Sequence, residues 1–129
     1  MFDQIQIFQM AETMARHAGV RQTVVAANTA NADTPGYKAG DVIPFADLVQ
    51  GGQPLQGMRA TRARHLNGGA GLAENIVVTE HAGLSEPNGN SVSLEQEMLK
   101  SVEVKQQHDR ALAIYRSGLT LMRSSIGRR

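Results

Sequence analysis

Apolar residues recur with helical spacing at both ends of the chain and lose any period in between. Near the N-terminus Ile7, Ala11, Met14, Ala18, Val25 and Ala32 fall three, four and seven residues apart. They share one face of a helix, with Phe8, Ala15 and Gln22 beside them. Arg21 and Asn28 interrupt the stripe, and its many small residues permit close approach of a second helix. The spacing predicts a helix over residues 3–31, about 45 Å long at roughly 1.5 Å per residue. At the other end Leu112, Tyr115, Leu119, Met122 and Ile126 alternate spacings of three and four, the seam of a coiled coil. Extended backwards, the seam takes in Met98 but meets Lys105 and His108, so it is apolar at its end and polar in its middle. Ser93, with Leu94 opening the run and Gln96 three residues on, has the form of a capping box. Neither striped helix is stable alone on propensity. The predicted fold is therefore mainly α: long N- and C-terminal helices packed as an antiparallel coiled coil, or against copies of the same pair, around a loop-rich middle with at most short β segments.

Chain breakers divide the sequence the same way. Residues 34–90 hold all four prolines and ten of the 13 glycines, whereas 1–33 and 91–129 have no proline. Three regions follow: an N-terminal assembly helix (1–33), a turn- and loop-rich middle (34–90) and a C-terminal assembly helix (91–129). In the middle, Ile76–Thr79 is a short β-capable run and His81–Asn90 is turn-rich. Residues 38–72 show no sustained period, and a structureless stretch of that length argues against a compact domain. Leu, Ile, Val and Phe make up only 29 of 129 residues, and Trp is absent. That is close to the lower limit for burying enough surface to offset ordering entropy. Helices that become buried only against other subunits fit this composition, and the free subunit is expected to have partly disordered termini.

Charge and chemistry-bearing residues narrow the function. The net charge of +1 implies no general attraction to nucleic acid or anionic membrane. The basic tail from Arg123 to Arg129 complements a helix C-terminus. The absence of cysteine excludes disulfides and cysteine-based zinc sites. No apolar block of signal-peptide or membrane-spanning length is present near the start, where Asp3, Glu12 and Arg16 stand. His17, His65, His81 and His108 are dispersed, without metal-ligand spacing. Gly68–Gly71 is not followed by the Lys-Ser/Thr of a phosphate loop, and Ser101, Ser117 and Ser124 lack a nucleophile elbow. Acids are spread along faces expected to be solvated. No enzyme, cofactor or metal site is predicted.

The most specific segment is Ala27–Lys38. Asn31 and Asp33 offer the backbone side-chain bonds that compete with helix. Thr34 precedes Pro35 and is pushed toward an extended conformation, so the helix must end there. Pro35-Gly36 is the centre of a type II turn, with φ preset at proline and positive φ open to glycine. The segment resembles the N-terminal signature of flagellar rod and hook proteins, Ala-Asn-x-x-Ala-Asn-x-x-Thr-Pro-Gly-Tyr, at Ala27, Asn28, Ala30, Asn31, Thr34, Pro35, Gly36 and Tyr37. Asn88–Met98 is similar to the family's approach to its C-terminal helix, with Ser93 where an acid is usual, and Arg62–Leu66 resembles a patch in the family's middle region. The chain is short, as in the cell-proximal rod subunits, and lacks the Arg-x-Tyr-x-Ala-Asn pattern expected of the sister subunit FlgC.

This resemblance implies a structural subunit of the bacterial flagellar basal-body rod. The subunit would be exported by the flagellar type III apparatus without a cleavable signal and assembled in the periplasm into a torque-transmitting shaft. It implies other rod subunits (FlgC and the distal rod proteins), the adaptor FliE and the membrane-embedded ring as partners, with no nucleic acid or small-molecule substrate. Asn28, Asn31, Thr34, Pro35, Gly36 and Tyr37 would form the assembly motif. Ile7, Ala11, Met14, Ala18 and Val25, with Met98, Leu112, Tyr115, Leu119, Met122 and Ile126, would form the helix seam. The competing reading is a helical adaptor or export chaperone that binds partner helices in a closed complex. Open head-to-tail contacts separate a rod subunit from such a complex, and salt-dependent DNA binding would mark a third reading, a nucleic-acid-binding tail.

Overall fold

The computed structural model describes residues 2–50, 78–80 and 85–127 of the 129-residue chain. In order come α1 (Phe2–Ala30), β1 (Gly40–Val42), α2 (Phe45–Gln50), β2 (Val78–Glu80) and α3 (Leu94–Ile126). The fold is mainly helical, with the two long helices at the ends as predicted. Arg62–Leu66, Gly68–Gly71, Ile76, Val77, His65, His81 and the final two arginines lie outside the described residues.

The two long helices lie side by side in opposite senses. Asn28 near the end of α1 meets Glu97 near the start of α3, and His17 meets Gln107 in the middle. Phe8 meets Tyr115 edge-on, with ring centroids 5.2 Å apart. Small side chains set the approach. Ala11, Ala18 and Val25 are buried on α1, and Glu97, Val104 and Ala111 on α3, both sets at intervals of seven. Gly118 continues the α3 series, and a Cβ there would stand 2.9 Å from the tip of the Phe8 ring. Buried methyl groups contribute on the order of 0.8 kcal/mol each. Among the described residues, the only buried apolar side chain larger than valine is Leu48. The apolar core is thin.

The face of α3 that meets α1 is offset by one position from the predicted seam. Leu112, Leu119 and Met122 are half-buried, whereas Met98, Tyr115 and Ile126 are exposed at 60%, 43% and 84%. The physical reason is size: Val104, Ala111 and Gly118 let the axes approach where bulkier residues would hold them apart. On α1 the predicted stripe does face inward at Ala11, Ala18 and Val25, with Met14 half-buried and Ile7 exposed.

Between the helices, β1 and β2 pair antiparallel, with Gly40 opposite Glu80 and Val42 opposite Val78. The α2 turn was not expected from periodicity. It starts where the Pro44 carbonyl accepts hydrogen bonds from the Asp47 and Leu48 N–H groups, and it buries only Leu48. Ser93 stands at the N-cap of α3 with extended backbone, but its side chain makes no capping bond, so the capping-box expectation fails. Its carbonyl accepts from the Glu97 N–H, and Glu95 and Glu97 set two carboxylates in the first turn, where the helix dipole favours them.

Candidate functional site

The site grows from the end of α1. The Asn31 N–H donates to the carbonyls of Ala27 and Asn28, and Asn31 Nδ2 returns to the Ala27 carbonyl at 2.8 Å. Its Oδ1 accepts from the Thr34 hydroxyl at 3.3 Å, so Asn31 closes the last helical turn on itself. The following turn is closed by the Tyr37 N–H donating to the Thr34 carbonyl, with Gly36 at φ +73°. Positive φ directly after proline is what a type II turn requires. Among the described residues only Gly36 and Gly89 have positive φ.

Gly89 lies against Gly36, because the segment preceding α3 folds onto this turn. A Cβ on Gly89 would sit 3.4 Å from the Gly36 Cα. The Gly36 N–H donates to the Asn88 carbonyl and the Ser91 N–H to the Tyr37 carbonyl. Asn90 is fully buried and holds the two strands of this turn together. Its Nδ2 points at the carbonyls of Asn31 (3.0 Å), Ala32 (2.6 Å) and Thr34 (3.0 Å), oxygens left over where α1 ends. Its Oδ1 accepts from the Val92 N–H at 2.8 Å.

Asn28 does the same one turn earlier. At 1% exposure it donates to the Gly40 carbonyl (2.7 Å) and to Glu97 Oε2 (3.1 Å). It accepts from the Gly40 N–H (3.0 Å) and the Tyr37 hydroxyl (3.3 Å). Two donors and two acceptors are all that an amide side chain offers, and all are used. Glu97, only 2% exposed, binds Lys100 Nζ at 2.9 Å, and Lys100 reaches Asp41 at 3.1 Å. Arg21 approaches the same Asp41 carboxylate at 3.4 Å. The two polar residues that interrupt the α1 stripe thus carry the links to β1 and α3.

The end of the family pattern and the beginning of α3 therefore form one hydrogen-bonded unit. The family model for flagella basal body rod protein matches residues 14–38, the second half of α1 together with the turn. The flagellar basal body rod protein FlgB of Agrobacterium fabrum is 40% identical, over 96% of this chain and 95% of its own length. The chain belongs to the FlgB family of flagellar basal body rod proteins. FlgB of Aquifex aeolicus is 33% identical over 84% of the chain and 83% of its own length. The FlgB family is one of structural proteins, not of enzymes. Among the described residues no helix is long and apolar enough to cross a membrane.

In this FlgB-family chain the structure brings Asn28, Asn31, Thr34, Gly36 and Tyr37 into one unit, with Thr34, Pro35 and Gly36 exposed at its surface. Sequence reasoning missed Asn90, Glu97, Asp41 and Lys100. It placed the acids on solvated faces, and Glu97 overturns that because Asn28 and Lys100 compensate its burial. The interval of seven from Glu97 to Val104 and Ala111 was the available signal.

A second missed residue is His17, which is fully buried where α1, α3 and the β1–α2 link meet. Its Nε2–H donates to the Ile43 carbonyl at 2.8 Å, since a carbonyl can only accept, and its Nδ1 accepts from the Gln107 amide at 3.1 Å. Phe45 packs against the ring at 5.5 Å. Burial pushes the His17 pKa below its ordinary value. The Ile43 carbonyl opposes the shift, Arg21 adds to it and Asp41 offsets part of it. Burial also disfavours ionised Asp41, but the Val42 N–H, Lys100 and Arg21 together outweigh it and hold that carboxyl below its ordinary value.

In both cases the unfolded chain takes up the proton first as pH falls. The His17 contribution is whole above about pH 6.5 and is lost through the folded-state pKa below it; the Asp41 contribution is whole above about pH 4 and is lost on further acidification. The thermal midpoint should therefore fall from pH 7 to 5. His17→Gln should flatten that slope, and Asp41→Asn should flatten the more acidic one. A wild-type midpoint independent of pH between 7 and 5 would contradict the burial of a neutral His17.

Proposed function

We propose that the chain is a subunit of the cell-proximal rod that polymerises through its terminal helices, regions 1–33 and 91–129, into the torque-transmitting shaft. The N- and C-terminal helices pack as an antiparallel coiled coil, and residues 34–90 form the turn and loops outside it. The observation that carries this reading is the apolar surface that the helix pair leaves uncovered. Ile7, Met98, Leu99, Val102, Leu121 and Ile126 are exposed although the core between the helices is thin. A groove of about 350 Å³ runs between Ile7, Phe8, Ile114 and Leu121. On another side, Ala15, Leu112 and Tyr115 line a groove of about 300 Å³. Exposed apolar residues beside apolar grooves fit a surface that is covered in use.

Export by the flagellar type III apparatus without a cleavable signal, residence in the periplasmic rod, and contacts with FlgC, distal rod proteins, FliE and the membrane-embedded ring complete the proposal. A closed complex with an adaptor's partner helix would cover one of these grooves, whereas an open polymer covers both.

Leu119 tests the seam. It is half-buried on the single chain, so Leu119→Ala should cost the free subunit about 1 kcal/mol, below the roughly 2–5 of a fully packed leucine. Leu119→Asp should abolish rods while the subunit is still exported. Electron micrographs showing rods at wild-type number in that variant would remove the seam from the interface.

A further inference from the structure

We infer that the signature segment Ala27–Tyr37 is an intrachain clasp, closed by residues 88–97 of the same subunit, which sets the axial register of α1 against α3. Asn90 and Glu97 are its positioning residues. The polar side chains of the signature are consumed inside the chain. Asn28 spends all four hydrogen bonds on Gly40, Tyr37 and Glu97, and Asn31 makes one bond each to Ala27 and Thr34 within its own turn. Asn90 is fully buried, as is nearly all of Asn28, so neither can reach a neighbouring subunit in this fold.

Register follows from the geometry of the two ties. The helix faces that meet are lined by Ala11, Ala18 and Val25 against Val104, Ala111 and Gly118, repeating every seven residues. Apart from the fit of the Phe8 ring over Gly118, such a repeat packs nearly as well after a slip of one heptad, about 10 Å along the axis. The Asn28–Glu97 pair links residues 69 apart in sequence at a single register, and Asn90 anchors the chain entering α3 to the end of α1. A slip would part Glu97 from Asn28 while leaving it buried beside Lys100, and the loss of one partner of a buried carboxylate is disfavoured. A buried polar pair that selects one register among near-equal apolar ones is the best-attested use of such groups.

The proposal borrows only its readout from the rod assignment. The chain has no cysteine, and Ser91 Oγ lies 2.9 Å from the Ala39 backbone nitrogen, so Ala39→Cys with Ser91→Cys places two thiols at the clasp. Basal bodies from cells carrying this double variant are oxidised and run on a non-reducing gel, beside the soluble subunit. The expected result in both samples is a cross-linked single chain of altered mobility, without dimers. In an Asn90→Ala background rods should fall at least fivefold, and the disulfide should restore most of them, because a covalent tie replaces the lost one.

Dimers or ladders in the rod sample would overturn the proposal by showing that the clasp closes between subunits. The absence of any cross-link, or normal rod numbers with Asn90→Ala, would overturn it too. If the chain is missing from basal bodies while the soluble subunit still cross-links within itself, the rod assignment fails and the clasp stands.

Discussion

Asn28→Leu is expected to open the junction between α1, β1 and α3, at a cost of about 3 kcal/mol. Leucine has the same branched outline as asparagine but is bulkier, so the substitution leaves no cavity and adds crowding to the loss of the polar contacts. It leaves the Gly40 N–H and carbonyl, the Tyr37 hydroxyl and Glu97 Oε2 without their partner. Each buried group so orphaned costs about 1–3 kcal/mol, reduced where water can enter. The sum is a large part of the stability of a domain this size, typically about 5–15 kcal/mol. Amide exchange should report it as local opening, with protection of residues 24–30 and 94–104 falling a hundredfold or more. Protection unchanged in those segments would mean that the Asn28 bonds contribute nothing net. Asn31→Ala should do far less, because Asn31 is only half-buried and bonds within its own turn.

Gly36→Val is expected to block rod assembly more than it lowers solubility or export. At φ +73° a Cβ meets no atom within 4 Å, so the penalty is one of backbone conformation rather than collision. It is on the order of 1–2 kcal/mol, larger for a β-branched residue. The consequence is amplified because the Gly36 N–H holds Asn88 and the Gly36 Cα faces Gly89. If the valine moves Gly36 out of the left-handed region, both contacts between the turn and the 88–97 segment shift. In a helical polymer each displacement recurs at every interface. Comparing secreted subunit with completed basal bodies tests this. Basal bodies at normal number in the Gly36→Val strain would make the turn incidental to assembly.

What the sequence disclosed, and what it hid, follows from the range of each interaction. The turn at Pro35-Gly36 was legible because proline and glycine fix their own dihedrals. The inward face of α1 was legible because Ala11, Ala18 and Val25 repeat with helical period. The α3 face was misplaced by one residue because periodicity is read from bulk. The bulky residues Leu112, Leu119 and Met122 flank the contact, while Glu97, Val104, Ala111 and Gly118 make it. No local pattern assigns a glutamate and a glycine to an interface. Asn90 and Glu97 act on partners 56–69 residues away, and α2 spans six residues, too short for a period to register. His17 looked like a dispersed histidine because its partners, Ile43 and Gln107, come from two other elements.

The most direct measurement of the central claim is the protein composition of purified basal bodies from cells that produce this chain. Mass spectrometry against labelled standards would count its copies per rod, beside gel filtration of the cytoplasmic fraction. The account predicts several copies in every rod-bearing basal body, at a fixed ratio to the other rod proteins and lost together with the rod in Leu119→Asp cells. A chain absent from basal bodies and held instead in a soluble complex of fixed size with one partner would contradict it.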